Sequence, residues 1–312
     1  MQTGCRRVKE SLLTKIRTTT DRVTRYGFKK TLKPGDLVAK DANIWPFADR
    51  EKYLEVRTKP DGEAQGDGQP LVDLATDKWA QGAELDHLLQ IKAIMVFNDS
   101  RDWGLDTQVI LDLLLSYRGF YGTRPIMNKD TSYLNQGFLQ HRQPKLYFTN
   151  ADLWWASAYH WPRLGQGAFI KALEGVWDAA TSGPSGKAEM YCQKYGKPFA
   201  PTYIFAEKVL NQLHREKHGT KSSERLETIY VVGDNPKSDI VGARWYGSKA
   251  EAYWKPILVR TGVYDGIMRD GKPYMITKDV FYAVQRALLD AQEYQRDDFR
   301  RTETNDARED AR

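Results

Sequence analysis

Apolar positions along this chain follow two rhythms, short unbroken runs closed by polar or glycine turns and longer stretches in which they recur every three or four residues. Residues 93–97 (AIMVF) form such a run, closed by Asn98-Asp99-Ser100-Arg101-Asp102, and are expected as a buried strand. Three more strands are expected at 145–148, ending in Thr149-Asn150-Ala151-Asp152, at 229–232, ending in Gly233-Asp234-Asn235, and at 256–259, ending in Arg260-Thr261-Gly262-Val263. Helical spacing occupies 107–115, with Val109, Ile110, Leu113 and Leu114 on one side, and 167–176. It returns over 202–213, where Phe205, Val209 and Leu213 fall four apart and Thr202 is placed to cap the first turn, and again from Thr277 through Val280, Val284, Ala287, Leu288 and Ala291. Strands alternating with helices predict an α/β fold with parallel pairing. Two stretches break the pattern. Residues 58–80, centred on KPDGEAQGDGQP, read as a mobile loop, and the tail 293–312 has almost nothing to bury and reads as disordered or a frayed helix.

Composition narrows the class. The chain has 312 residues, enough for about two domains at roughly 150 residues each. No apolar run approaches the ~18 residues that a membrane span needs, which excludes a spanning protein. Two cysteines, Cys5 and Cys192, are too few for a disulfide framework or a four-cysteine zinc site, so a reducing compartment is expected. The net charge of +6 sits at one end: residues 1–33 carry ten Lys or Arg against only Glu10 and Asp21, so the remainder is slightly acidic. That basic, Thr-rich opening reads either as an organelle-targeting segment or as a solvated amphipathic helix. A nucleic-acid partner is not expected, because this opening alone would have to carry the binding.

The chemistry concentrates in IYVVGDNPKSDIVGA (229–243). An apolar strand delivers Asp234 at its carboxyl end, where open α/β sheets place their ligands, with Asp239 on the next turn. Mg²⁺ prefers a few carboxylates plus waters and phosphate oxygens, and Asp234 could supply one such ligand. In GKPFAPTY (196–203), Lys197 precedes a proline and a helix start, where its ammonium could neutralise a phosphoryl group and an attacking carboxylate. His214 and His218 could share a helix face but lack a third metal ligand and read as a solvated helix end. Trp154, Trp155, Trp161 and Trp245 lie beside apolar neighbours and read as packing residues rather than base-stacking ones, and Cys192 as a buried structural thiol.

In series, TNAD (149–152), PRLGQGAF (162–169), GKP (196–198), VGDNPKSD (232–239) and TGV (261–263) resemble the haloacid dehalogenase-like (HAD) phosphohydrolase superfamily. They look most like its class IIA, with a large α/β class II cap, and within that the cat-eye-syndrome-critical-region-like branch. The resemblance implies a cap over 1–192, the second half only of a Rossmannoid core over 193–292, and Mg²⁺ as cofactor. It implies metal ligation by Asp234 and Asp239, a catalytic Lys197, contacts to substrate or phosphate from Asn150 and Asn235, and a phosphorylated small molecule as substrate. The branch also implies a mitochondrial location, with a cytoplasmic one as the alternative. The family's nucleophile is the first carboxylate of a DxD motif after an apolar strand, and the strand ending in Asp234 pairs with the strand bearing it. No such DxD occurs here. Asp99 follows an apolar strand, but Arg101 stands where the second carboxylate belongs, and Asp102 is one residue out of step. The expectation is therefore an N-terminally incomplete or degenerate member with little phosphatase activity. The alternative is a non-catalytic interaction protein that keeps the cap as a recognition surface.

Overall fold

In the computed structural model, residues 11–14, 28, 30–47, 74, 79, 82–218, 226–247, 252–268 and 271–309 are described. The expected loop at 58–80 lies outside them apart from residues 74 and 79. The chain forms two units, one of Met1–Leu153 with Leu164–Tyr195, the other of Trp154–Arg163 with Gly196–Arg312.

The first unit is built on a five-stranded parallel sheet of β1 (Ser11–Thr14), β2 (Thr31–Leu32), β3 (Ile91–Val96), β4 (Lys145–Phe148) and β7 (Cys192–Lys194), in the spatial order β2-β1-β3-β4-β7. This is a doubly wound arrangement whose order reverses between β1 and β3. The basic opening of the chain thus supplies an inner strand: at Ser11–Thr14 it is extended rather than helical, because Leu12 and Leu13 pair in register with β2 and β3. Residues 1–10, 15–27 and 29 of that opening lie outside the described residues.

Helix α1 (Pro34–Lys40) buries Leu37 and Val38. Helix α2 (Trp103–Leu114) begins where the Asp102 carboxylate accepts from the Leu105 N–H at 3.0 Å, and it buries Leu105, Val109, Ile110, Leu113 and Leu114. Helix α3 (Gln166–Thr181) presents Phe169, Ile170, Leu173 and Trp177 to the same core as Ile94, Val96, Leu146 and Phe148. The indole of Trp177 is fully buried and donates to the Ala188 carbonyl at 2.9 Å. Between β4 and α3 the chain forms a two-stranded ribbon, β5 (Trp154–Trp155) with β6 (Arg163–Leu164).

The second unit holds a three-stranded parallel sheet in the order β10-β9-β8, from β8 (Thr228–Gly233), β9 (Tyr253–Val259) and β10 (Met275–Thr277). The period of two along β8 divides its side chains. Ile229 and Val231 pack with Tyr203, Ala206 and Leu210 of α4 (Ala200–His218) and with Ala243 of α5 (Val241–Gly247), while Tyr230 and Val232 pack with Ala283 and Ala287 of α6 (Val280–Glu309).

Two expectations need correcting. The α4 stripe facing the sheet is 203/206/210 rather than 205/209/213, and Phe205 and Leu213 are exposed. The reason is Tyr203, whose ring packs on Tyr246 and Trp254 while its hydroxyl donates to the Ser238 carbonyl at 2.8 Å. Thr277 closes β10 instead of opening a helix, and α6 starts at Val280, where Asp279 accepts from the Tyr282 N–H. From Glu293 the chain continues α6 to Glu309, the helical one of the two outcomes expected for the tail. Among the described residues, no helix is long and apolar enough to cross a membrane.

Candidate active site

The carboxyl end of β8 gathers Asp234, Asn235, Asp239 and Lys197. Asn235 opens a π-helical turn, Pro236–Ile240: its side-chain oxygen accepts from the Lys237 N–H at 3.1 Å and its carbonyl from the Asp239 N–H at 2.8 Å. The turn folds Asp239 back against the strand end, where only 4% of its side chain is exposed. One oxygen, Oδ2, accepts from the Asn235 N–H at 3.0 Å; the other, Oδ1, receives the Lys197 ammonium at 2.5 Å. Lys197 follows Gly196, which sits at φ +81°, and its own side chain, 41% exposed, is anchored through its ammonium on a buried carboxylate.

Asp234 is held from a different direction. Its Oδ2 accepts from the Val263 N–H at 2.7 Å, in the turn after β9, and its Oδ1 takes no hydrogen bond among the described residues. A Cβ at Gly262, which has φ +82°, would lie 1.9 Å from that Oδ2, and a Cβ at Gly233 would lie 2.1 Å from the Asp239 carboxyl carbon. The glycines of VGD and TGV are therefore the space in which the two carboxylates sit. The Val263 N–H escaped notice from the sequence, although the TGV motif that carries it was visible.

The other site candidates lie elsewhere. Asn150, just past β4, belongs to the first unit, where its Oδ1 accepts from the Asp152 N–H at 2.9 Å and its N–H donates to Gln166 Oε1 at 2.9 Å. Gln166, fully buried at the start of α3, also takes the Thr149 N–H, a role its sequence position gave no sign of. Asp99 is exposed beyond β3, and Asp102, its neighbour in the sequence argument, is the cap of α2. Burial pushes the Cys192 thiol up, as a structural thiol requires. Trp154, Trp155, Trp161 and Trp245 do not pack into a core: all four are exposed.

Residues 194–281, which carry all of Lys197, Asp234, Asn235 and Asp239, match the HAD-hydrolase-like family model. The chain is 34% identical over 257 residues to a cardiolipin synthase (CMP-forming) / mitochondrial hydrolase fusion protein of Schizosaccharomyces pombe, with 82% of this chain and 34% of that protein covered. To a mitochondrial hydrolase of Saccharomyces cerevisiae it is 32% identical over 286 residues, covering 84% of this chain and 68% of the relative. The chain thus spans about a third of the first relative and about two thirds of the second. Among solved structures, a possible sugar phosphatase of the HAD superfamily from Cytophaga hutchinsonii aligns over 86% of this chain and 93% of its own, at 15% identity and a TM-score of 0.35. On the extent of the match to the S. cerevisiae protein, together with the family model over the Lys197–Asp234–Asp239 segment, this chain belongs to the HAD-like hydrolases.

Proposed function

We propose that the second unit is the phosphate-holding half of a HAD phosphohydrolase site, that the first unit is its class II cap, and that this chain by itself turns over little or no phosphate ester. The observation that carries the reading is the Lys197 ammonium, fixed on buried Asp239 beside the strand end that presents Asp234. An ammonium whose position is already set by an ion pair can meet a phosphoryl oxygen without first ordering a long side chain. Asp239 spends both oxygens on Lys197 and the Asn235 N–H, so its part is to position the lysine. Asp234, steadied through Oδ2, keeps Oδ1 for a hard cation. That donor chemistry fits Mg²⁺, which takes one or two carboxylates and fills its remaining positions with water and phosphate oxygens. When bound, Mg²⁺ would neutralise charge on the phosphoryl group. Asn235 contributes through its backbone and the turn it opens, and Asn150 would act from the cap.

No DxD follows an apolar strand in the sequence, and β8 is the outer strand of its sheet among the described residues. On this reading its free edge is where a strand bearing the nucleophile would pair. A non-catalytic phosphate-binding protein would use the same residues, and turnover separates the two. Purified chain with Mg²⁺ and p-nitrophenyl phosphate is expected to show no hydrolysis above background, and inorganic phosphate binding should weaken about ten-fold or more in Lys197→Ala. Mg²⁺-dependent turnover that disappears in Asp234→Ala would overturn the inactive reading. The names of the relatives support a mitochondrial location for this chain, which fractionation of cells expressing it would test.

A further inference from the structure

The connection from α2 to β4, residues 115–144, is far longer than the ~12–15 residues beyond which a loop inside a domain usually carries a function. Its backbone is also unlike that of the other described segments. Among the described residues, every non-glycine residue with a positive φ lies here: Arg118, Lys129, Asn135, Gln136, Leu139 and Arg142, between +52° and +79°. A left-handed backbone is unfavourable for such side chains and persists only where surrounding bonds fix it. Those bonds are present. The Lys129 N–H donates to the Gln136 carbonyl at 2.9 Å, and Asn128 donates from Nδ2 to the Leu115 carbonyl at 3.0 Å. Asn135 grips the backbone of Glu189 twice: its Oδ1 accepts from the N–H at 2.7 Å and its Nδ2 donates to the carbonyl at 3.0 Å. Residues 125–137 thus fold into one fixed lobe of the first unit.

The lobe turns outward what a core would bury. Leu134 is 82% exposed, Ile126 70% and Tyr133 47%. The connection carries Arg118, Arg124, Lys129 and Arg142 against Asp130 alone, although residues 34–312 as a whole are slightly acidic. Arg124 is paired with Asp112 at 3.0 Å, and Asp130 is turned onto the Ser132 hydroxyl and N–H at 2.6 and 2.9 Å. Arg118, Lys129 and Arg142 are exposed and form no ion pair among the described residues. The Tyr117 and His141 rings lie 5.3 Å apart, so Arg118 and Arg142 follow adjacent points of the backbone.

We infer that this lobe docks the first unit on an anionic lipid surface, with Ile126 and Leu134 entering the acyl boundary and Arg118, Lys129 and Arg142 meeting headgroup phosphates. Aliphatic side chains held out of the fold gain by leaving water, and each cation near a negatively charged leaflet adds to the attraction. Because the lobe is already fixed, docking orders little that was free before. A second copy of this chain suits it less well, since a two-fold contact would set Arg118, Lys129 and Arg142 against themselves. So does a nucleic acid, because Ile126 and Leu134 give a base no ring to stack on.

The test is co-sedimentation of the whole chain with phosphatidylcholine vesicles containing about 30 mol% phosphatidylserine, against phosphatidylcholine alone. Ile126→Ser/Leu134→Ser should weaken binding to the anionic vesicles about ten-fold or more, and Arg118→Gln/Lys129→Gln/Arg142→Gln should do the same. Phe281→Ser/Leu288→Ser, which removes similarly exposed apolar residues from α6, should change nothing, and neither should Lys197→Ala. Circular dichroism checks that each variant is folded. Residues 1–33 are themselves basic, so a second measurement reads the lobe directly. Leu134→Cys in a Cys5→Ser/Cys192→Ala background, labelled with an environment-sensitive fluorophore, should shift its emission to the blue when anionic vesicles are added. No blue shift, equal affinity for phosphatidylcholine alone, binding that survives the serine variant, or an equal fall in the α6 or Lys197 variant overturns the inference. So does a loss in the glutamine variant alone, which marks an electrostatic partner such as a nucleic acid, and so does a dimer in size exclusion that the serine variant dissociates.

Discussion

Gly233 and Gly262 each leave room for one carboxylate, and the two positions make different demands. At Gly233 a side chain would meet the Asp239 side chain, whose carboxyl carbon lies 2.1 Å from where a Cβ would be. Gly233→Ala should push Asp239 off the strand end, release Lys197, and reduce phosphate affinity about ten-fold, with a fall of several degrees in the melting midpoint. At Gly262 an alanine meets both Asp234 and an unfavourable positive φ. Gly266 serves as the control: it too has a positive φ, +84°, but nothing lies within 4 Å of its Cβ position. Gly266→Ala should cost only about 1 kcal/mol of stability, from backbone strain, and leave phosphate binding alone. Titration calorimetry and thermal melts on the three variants distinguish the cases. Both glycine motifs were visible in the sequence as motifs. What each glycine accommodates was not, because Gly262 meets Asp234 across a gap of 28 positions, and only the parallel pairing of β8 with β9 brings their ends together.

At the scale of elements, a single carboxylate on α6 ties the helix to the sheet of the second unit. Asp290 accepts from Lys255 on β9, from the Tyr230 hydroxyl on β8 and from the Tyr274 hydroxyl just before β10, each at 2.6 Å. Burial pushes the Asp290 carboxyl up, but the hydrogen bonds from Lys255, Tyr230 and Tyr274 outweigh it and hold it down at about 2. Burial likewise works against the Lys255 ammonium, and the bonds to Asp290 and Tyr274 raise it overall. Tyr230 is pushed up to about 12, by burial first and then by its bond to Asp290. The signs follow from linkage. A carboxyl that ionises at about 2 when folded and near 3.8 when unfolded contributes stability in full above about pH 4 and loses it as pH falls toward 2. Asp290→Asn, which leaves Lys255 buried without its counter-charge, should lower the melting midpoint by several degrees at pH 7, and the gap from the unaltered chain should narrow between about pH 4 and pH 2. Melting curves across that range check it. None of this was legible in sequence. Lys255 interrupts the apolar run YWKPILV for no visible local reason, and its partner sits 35 residues downstream in a helix whose apolar spacing pointed to a different face. Where the signal was local, as in the apolar runs that became β3, β4, β8 and β9, pattern and structure agree closely.

Over the whole molecule, β3, β4, β8, β9 and helices α2, α3, α4 and α6 could be read from local runs and spacing, and Lys197, Asp234 and Asp239 were joined by the serial motifs of the family resemblance. The inner position of β1 could not: two leucines in a strongly basic stretch are a weak signal, and their place comes from pairing with residues 80 positions away. The exposure of the ribbon tryptophans was likewise invisible, since an exposed indole and a buried one have the same sequence neighbours. The ribbon also determines how the protein can be divided. Because the chain passes between the two units at 153/154, 163/164 and 195/196, they are not an N-terminal and a C-terminal half. Cleavage after Tyr195 would leave residues 196–312 with the whole carboxylate and lysine cluster but strip them of Trp154–Arg163, which stay on the other peptide. Any shortened version beginning near Gly196 would therefore keep the carboxylates and the lysine and lack the exposed tryptophans of the ribbon.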